Sequence, residues 1–242
     1  MKDVLVEEIQ SEIDQGGELA VTERSRVVTE KGAPTVVRSV FSVHKTNTIL
    51  HTLATDPRIV NLAKKVLDDE VYIFQSRINF QPAFTGNGFY WHSDFETWYS
   101  EDGMPRPRAL SVVIFFDDNN ATNGALMVMP GSHKEYIGCA GRQSEKNWEE
   151  SLKNNGRYGS PSQGSITDMA RKYGVVHAGG KRGSILMFDC NLLHGSHSNI
   201  SPFSRRNLFE VFNARSNQVG EPFHAAGRRP EHVAHRLDLE YL

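Results

Sequence analysis

Apolar residues in the N-terminal third of the chain follow the spacing of amphipathic helices. Leu5, Ile9 and Ile13 recur every four residues ahead of a Gly-Gly pair, which predicts a short opening helix. Asp56 followed by Pro57 has the form of an N-cap with proline in the first turn, which predicts the start of a longer helix. The residues expected to form the buried stripe of that helix are Ile59, Val60, Ala63, Val66 and Leu67.

Beyond about residue 70 the pattern changes to short apolar segments separated by turns rich in Gly, Pro and Asn. These strand-like segments cover residues 71–80, 109–117, 125–129, 184–190 and 206–213. Many short strands in succession are typical of a β-sandwich or barrel rather than of a parallel βαβ sheet. The polar stretch at about 139–180 is too long for a simple turn, so we expect a partly helical excursion or lid there.

Together these patterns predict one domain, residues 1–242, that is mainly β with flanking helices. Its helical N-terminal part is expected over about 1–69, its β-rich core over about 70–215, and the insertion over about 139–180. The sequence shows no internal repeat, which argues against a repeat architecture.

The first strand of the β-rich part carries an unusual polar half. Strict alternation places Gln75, Arg77 and Asn79 on the face that begins with Val71 and Ile73. Three hydrogen-bonding side chains in register form either a solvent-exposed outer face or the wall of a pocket.

The last strand offers a matching pattern. Arg205, Asn207 and Phe209 share one face by the same alternation, and Arg206 points the other way. An arginine and an aromatic side chain could therefore line the same cavity as the polar half of the first strand.

Composition and charge narrow the class of protein. The 242 residues are 38% hydrophobic and 23% charged, which excludes disorder over the whole chain. With 27 basic and 29 acidic residues the formal net charge is -2, so the chain lacks the excess positive charge typical of nucleic-acid binding.

The apolar stretches of the chain are far shorter than the roughly 20 residues of a membrane helix, and its N-terminus lacks the apolar core of a signal peptide. Two cysteines, Cys139 and Cys190, fit a reducing compartment. We therefore expect a cytoplasmic protein that binds neither nucleic acid nor membrane.

Three residues form a candidate metal site. His92 and Asp94 are two positions apart, so on an extended segment both side chains point the same way. His194 follows about a hundred residues later, and Arg205 lies eleven residues beyond it. Two histidines and one carboxylate on one side of a metal are the ligands of non-haem Fe(II) oxygenases, which keep open positions for co-substrate and oxygen. His197 is an alternative to His194 as the distal ligand. Neither cysteine lies in a paired motif, which argues against a structural zinc site.

The segment from Phe89 to Ser111, FYWHSDFETWYSEDGMPRPRALS, closely resembles the signature of ectoine hydroxylases. These enzymes belong to the phytanoyl-CoA dioxygenase-like branch of the Fe(II)/2-oxoglutarate dioxygenases. The flanking segments FQSRINFQP, GALMVMPGSHK and FDCNLLHGSHSNISPFSRRN are similar to the same family in the same order, so the resemblance covers roughly residues 70–215. It implies a double-stranded β-helix, or jelly-roll, in a cytoplasmic homodimer. It also implies that Fe(II), 2-oxoglutarate and O2 are used to hydroxylate ectoine to 5-hydroxyectoine, with succinate and CO2 released.

The resemblance also assigns roles to individual residues. The implied iron ligands are His92, Asp94 and His194. The implied 2-oxoglutarate residues are Arg205, Ser196, Asn79, Phe89 and Ser111. The implied ectoine residues are Gln75, Arg77, Thr97, Trp98, Ala109, Phe188 and Phe209. This chain departs from the family pattern at Tyr99, where histidine is usual, and we expect it to be shortened at the N-terminus.

Two other functions stay open on the sequence. One is hydroxylation of a different small zwitterion, such as a proline-like amino acid. The other is a non-catalytic metal-binding jelly roll. Arg205 and Ser196 argue against the second, because a protein without activity has no need of a co-substrate clamp.

Overall fold

Ten strands make up most of the regular structure in the residues that the computed structural model describes, which are 20–23, 36–139 and 160–242. They are β1 (Ala20–Glu23), β2 (Val36–Phe41), β3 (Val71–Gln81), β4 (Phe89–His92), β5 (Ala109–Phe115), β6 (Met127–Val128), β7 (Val176–His177), β8 (Ile185–Asp189), β9 (His194–Ser196) and β10 (Arg205–Ala214).

The strands form two antiparallel sheets. The larger has the order β1-β2-β3-β10-β5-β8, and the smaller has the order β4-β9-β6-β7. Apolar side chains of both sheets meet in one interior cluster, in which Phe209 of the larger sheet accompanies Val128 of the smaller. This is the mainly β jelly-roll with flanking helices that the sequence predicts.

Five helices accompany the sheets in the described parts of the chain. They are α1 (Val43–Thr46), α2 (Thr48–Ala54), α3 (Pro57–Leu67), α4 (Asp94–Asp102) and α5 (Gln163–Tyr173). None of these described helices is long and apolar enough to cross a membrane.

Helix α3 begins where the sequence predicts. The Asp56 side chain accepts a hydrogen bond from the Arg58 backbone N–H, and Pro57 occupies the first helical position. The predicted stripe is correct except at Val66, which is 57% exposed. Val66 lies at the edge of the stripe, one residue before the helix ends, and so faces solvent rather than the sheet.

The outer face of the larger sheet is covered by these helices. Alternate residues of its central strands, such as Ile78, Leu208 and Val112, pack in one cluster with Leu50 of α2 and Ala63 of α3. Burial of this apolar surface, worth about 25 cal/mol per Å², stabilises the packing of the helices on the sheet. The inner face is thereby left to the functional site.

A β-bulge in β3 corrects the predicted alternation. Gln75 pairs with Val211 of β10, but Ile73 pairs with Phe212, so Phe74 is an extra residue. Ile73 therefore packs in the outer cluster with the helices, while Phe74 packs in an inner cluster. The prediction that Val71 and Ile73 share a face with the polar half of the strand was wrong, because the bulge reverses the alternation between them.

The N-terminal part is less helical than predicted. Strands β1 and β2 lie in the range expected to be helical, and they extend the larger sheet at its β3 edge. The opening helix predicted at Leu5, Ile9 and Ile13 lies outside the described residues. Within the predicted insertion, α5 confirms a helical element at Gln163–Tyr173, and residues 140–159 lie outside the described ranges.

Candidate active site

His92, Asp94 and His194 come together between the two sheets. One ligand atom from each lies within 4.8 Å of the others. His92 ends β4 and His194 begins β9, and the two are cross-strand partners with ring centroids 4.3 Å apart. Asp94 is the first residue of α4 rather than part of a strand, but Ser93 between them is extended, so the predicted common direction holds. The Ser93 hydroxyl accepts a hydrogen bond from the Glu96 backbone N–H and fixes this junction.

The protonation states of these groups suit a divalent metal. Burial, with a smaller contribution from the neighbouring His194, lowers the pKa of His92 to about 4, so the imidazole is neutral. Burial by itself raises the pKa of Asp94, but attraction to His194 and Arg77 outweighs it and the net pKa is lowered. Neutral imidazoles and an ionised carboxylate are the forms that bind metal. Asp94 Oδ2 is buried without a hydrogen-bond partner among the described residues, so it is available as a ligand atom.

His197 is not part of this group. Its Nε2 lies 2.9 Å from the Ala121 carbonyl oxygen, and its Nδ1 lies 2.9 Å from the Ser198 carbonyl oxygen. His197 therefore stabilises neighbouring loops, and the geometry chooses His194 as the third candidate ligand.

Arg205 marks one end of the inner face. Its side chain is 1% exposed, and its Nε and Nη2 have no hydrogen-bond partner in the described part of the chain. Gln81 is its cross-strand partner on β3 and donates from Nε2 to the Ser196 hydroxyl, 3.2 Å away. That hydroxyl also accepts from the Phe89 backbone N–H at 3.3 Å. Gln81 and Ser196 thus connect the row of Arg205 to Phe89, and the role of these residues in binding 2-oxoglutarate stays a prediction.

Asn79 lies one cross-strand row further in. It pairs with Asn207 of β10, and its Oδ1 accepts a hydrogen bond of 2.7 Å from Ser39. The strand register therefore places Asn79 two residues along from the row of Arg205, and its role in binding 2-oxoglutarate stays a prediction.

Ser111 is placed elsewhere. It pairs with Val211 of β10, six residues from Arg205, a separation of roughly 20 Å along the strand. Its hydroxyl is fully buried and has no partner among the described residues. The expectation that Ser111 lies near Arg205 was wrong, because the alternation gives only its face and the register gives its row. Gln75 and Phe188 are its neighbours in that row.

The predicted substrate residues lie around and beyond the histidines and Asp94. Arg77 Nη2 lies 3.9 Å from Asp94 Oδ1, and the guanidinium carbon lies 4.6 Å from the centre of the Phe209 ring. The Phe188 ring lies 5.0 Å from the His194 ring. Gln75 donates from Nε2 to the Val233 carbonyl oxygen, which leaves its buried Oε1 without a described partner.

The remaining predicted substrate residues lie on α4 or in the apolar cluster packed with it. Trp98 is 2% exposed and packs edge-to-face on Phe74 at 5.1 Å, in an inner cluster that also holds Ala109. Thr97 precedes it on α4, one turn after Asp94. Trp98 is therefore part of the buried apolar cluster that packs behind α4.

Two residues that support the candidate active site were not identified from the sequence. Gln81 lies on the same face as Asn79, and the alternation could have identified it. Arg229 is buried and donates from Nε to Asp102 Oδ1 at 2.8 Å. Its positive charge also helps to lower the pKa of Asp94. No local pattern in the sequence connects residues 127 positions apart, so the pairing of Arg229 with Asp102 could not be predicted from the sequence.

Two imidazoles and a carboxylate inside a jelly-roll define the class of mononuclear non-haem Fe(II) oxygenases. Residues 3–207 match the family model described as phytanoyl-CoA dioxygenase (PhyH). The chain belongs to this family.

Relatives within the family are similar over most of their length. The ectoine dioxygenase of Bordetella bronchiseptica is 47% identical over 217 residues, which cover 90% of this chain and 70% of that protein. The ectoine dioxygenase of Nocardia farcinica is 46% identical over 232 residues, covering 96% of this chain and 77% of the relative.

Solved structures agree with this placement. EctD from S. alaskensis with bound Fe superposes with a TM-score of 0.82 at 38% identity, covering 100% of this chain and 76% of EctD. The same protein with 2-oxoglutarate and 5-hydroxyectoine gives a TM-score of 0.78 at 39% identity, covering 97% and 75%. The α-ketoglutarate-dependent carbocyclase SnoK, at 14% identity and a TM-score of 0.66, shares the fold alone.

Proposed function

We propose that this chain is an Fe(II)- and 2-oxoglutarate-dependent dioxygenase that hydroxylates ectoine to 5-hydroxyectoine. O2 is consumed, and succinate and CO2 are released. The observation that carries the proposal is the placement of His92, Asp94 and His194 between a buried arginine on one side and an amide and aromatic wall on the other. The similarity to ectoine dioxygenases supports the choice of substrate.

The three ligands would hold Fe(II) on one side and leave the opposite positions open. Bound iron supplies the activation of O2, coupled to oxidative decarboxylation of 2-oxoglutarate. The protein's own task is to hold His92 neutral and Asp94 ionised, which burial of His92 and the charges around Asp94 accomplish. Excluding water from this enclosed space limits side reactions.

Arg205 would bind the distal carboxylate of 2-oxoglutarate. Its Nε and Nη2 are both without partners in the described residues, and these two donors form the fork that binds a carboxylate in bidentate fashion. The Ser196 hydroxyl and Asn79 would line the same end of the site. Lysine could not replace this arginine, because it lacks the planar fork.

Ectoine would bind in the rows beyond the iron. It is a small ring that carries an amidinium and a carboxylate. The available atom of Gln75 is Oε1, an acceptor, which suits a ring N–H rather than the carboxylate. Arg77 would face the carboxylate, since its contact with Asp94 at 3.9 Å leaves donors free for a second anion. Phe188 and Phe209 would pack against the ring. We assign Ser111 to this region as well, because it shares a row with Gln75.

Turnover with purified protein tests the proposal. The protein is supplied with Fe(II), 2-oxoglutarate and either ectoine or L-proline, and succinate and hydroxylated product are measured by mass spectrometry. Ectoine should give both products, L-proline should give neither above background, and His92→Ala should abolish both. Hydroxyproline as the main product would assign a different substrate. Iron binding without any succinate would support a non-catalytic metal-binding protein.

We also propose a single dioxygenase domain over residues 1–242 that works as a cytoplasmic homodimer with no nucleic-acid or membrane partner. The net charge of -2 supports the absence of a nucleic-acid partner, and the free state of Cys139 and Cys190 supports the cytoplasm. Light scattering of the purified protein checks the dimer, and a mass of one chain would refute it.

A further inference from the structure

Strand β2 contributes an arginine to the Arg205 end of the site. Between β1 and β2, Val21 pairs with Ser39 and Thr22 pairs with Val37, so Arg38 is an extra residue in β2. The bulge lets Arg38 reach the segment that leads into β4, where its side chain is 1% exposed.

Arg38 contacts three consecutive residues of that segment. Its Nη1 donates to the Asn87 carbonyl oxygen at 3.3 Å, and its Nη2 donates to the Gly88 carbonyl oxygen at 3.0 Å. Its guanidinium carbon lies 3.8 Å from the centre of the Phe89 ring. A guanidinium at this distance stacks favourably on the ring face. A single side chain therefore sets both the backbone and the ring at the start of β4.

The segment held by Arg38 is packed tightly against β9. A Cβ added at Gly88 would lie 2.4 Å from the Ser196 carbonyl oxygen, so the backbone approaches closely here. Phe89 donates its N–H to the Ser196 hydroxyl. Displacement of Phe89 would consequently move a residue of the Arg205 end.

The charge of Arg38 also reaches Arg205. Burial lowers the pKa of Arg205 to about 9, and the positive charge of Arg38 contributes to that shift. In the adjacent position of β2, Ser39 donates to Asn79. Two neighbouring residues of β2 thus support two side chains at the Arg205 end of the site.

We propose that Arg38 is a positioning residue for the Arg205 end of the site: it fixes Phe89 and the Asn87–Gly88 backbone and adds positive charge, so that this end selects dicarboxylate over monocarboxylate 2-oxo acids. The proposal rests on the proposed function, because it concerns the end of the site in which 2-oxoglutarate would bind.

Calorimetry with anaerobic Fe(II)-loaded protein tests this role. The probes are 2-oxoglutarate and 2-oxopentanoate, which has a methyl group in place of the distal carboxylate. In Arg38→Met the preference for 2-oxoglutarate, expressed as the ratio of the two Kd values, should fall by about ten-fold or more. Arg38→Lys retains the charge and should lose less of the preference. The KM for 2-oxoglutarate should rise in both variants, with kcat at saturating 2-oxoglutarate and the KM for ectoine within about two-fold of the parent.

Arg108 provides a matched control. It also donates to a backbone carbonyl, that of Leu67, but it precedes Ala109, which pairs with Asn213 at the opposite end of β10 from Arg205. Arg108→Met should leave the ratio of Kd values unchanged. If Arg38→Met is too unstable to study, Arg38→Lys alone decides, since an unchanged ratio and an unchanged KM for 2-oxoglutarate overturn the proposal. An equal loss of affinity for both acids also overturns it. Failure of the parent protein to bind 2-oxoglutarate refutes the proposed function instead.

Discussion

His92 and His194 are direct cross-strand partners in the antiparallel pair β4–β9, with ring centroids 4.3 Å apart. This pairing brings together two residues about a hundred positions apart in sequence and gives both imidazoles the same direction. Asp94 then needs only the extended Ser93 and the first turn of α4 to reach them. The metal site is therefore a product of strand register.

Iron binding should depend on His194 and not on His197. His194→Ala removes one of the three converging groups and should abolish stoichiometric Fe(II) binding, measured by metal analysis after anaerobic loading. His197→Ala should retain the metal, because the His197 imidazole lies against the carbonyl oxygens of Ala121 and Ser198 and beside His177, outside the group of three candidate ligands. Loss of iron in the second variant and its retention in the first would reverse this assignment.

Arg205 and its neighbour Arg206 should differ sharply in their effect on 2-oxoglutarate binding. Removing one partner of a buried charge pair costs about 2–5 kcal/mol, so Arg205→Ala should raise the Kd at least about 30-fold. Arg206 points away from the site and bonds Asp117 at 2.7 Å, so Arg206→Ala should leave the Kd within about two-fold. Calorimetric titration measures both, and equal effects would mean that the register of β10 is different.

Asp102 should be needed for stability because it neutralises Arg229 in a buried position. Asp102→Ala leaves a buried guanidinium unpaired and should lower the free energy of unfolding by about 3–5 kcal/mol. The double variant Asp102→Ala/Arg229→Met removes both charges and should recover a large part of the loss. Urea unfolding measures this, and a double variant as unstable as the single one would contradict the explanation.

Two buried histidines should make the protein sensitive to acid. Burial lowers the pKa of both His44 and His235 to about 3, with added repulsion from Lys45. Glu231, 3.7 Å from His235, is too weak a partner to reverse this. Below the ordinary pKa of 6.5 the unfolded chain takes up protons that the folded protein refuses, so stability falls as pH decreases from 6.5 towards 3.

The loss should be about 1.4 kcal/mol per pH unit for each histidine. His235→Gln should therefore flatten the dependence of Tm on pH below 6.5. His177, which is exposed, provides the control, and His177→Gln should leave the slope unchanged. An unaltered slope in His235→Gln would show that this histidine is not the group that titrates.

Glu210 should destabilise the protein above its ordinary pKa. It is fully buried on the outer face of β10, and neither carboxylate oxygen has a hydrogen-bond partner in the described residues. Burial raises its pKa well above the usual 4.5, so the folded protein holds a proton that the unfolded chain releases, and stability falls as pH rises above 4.5. Glu210→Gln should raise Tm more at pH 8 than at pH 5. Glu240 is exposed, so Glu240→Gln should change Tm at neither pH. A Glu210→Gln variant that is less stable than the parent would show that the carboxylate at position 210 is required.

The sequence by itself determined the identity of the site. His92, Asp94 and a distal histidine, either His194 or His197, with Arg205 beyond it, can be recognised because metal and carboxylate chemistry restricts residue type. Alternation along β3 and β10 also assigned Gln75, Arg77, Asn79 and Phe209 to one face, because side-chain direction in a strand is a local property.

The tertiary structure decided what depends on register. The bulge at Phe74 reverses the face of Ile73, and the pairing of Ser111 with Val211 moves Ser111 away from Arg205. Neither is visible locally, because a bulge is stabilised by the partner strand and the helices packed on it. The same holds for Arg38, which a bulge in β2 brings to Phe89, and for Arg229, which reaches Asp102 from the far end of the chain. Side-chain direction is encoded residue by residue, whereas contacts between distant residues arise only when the sheets and their cores have packed.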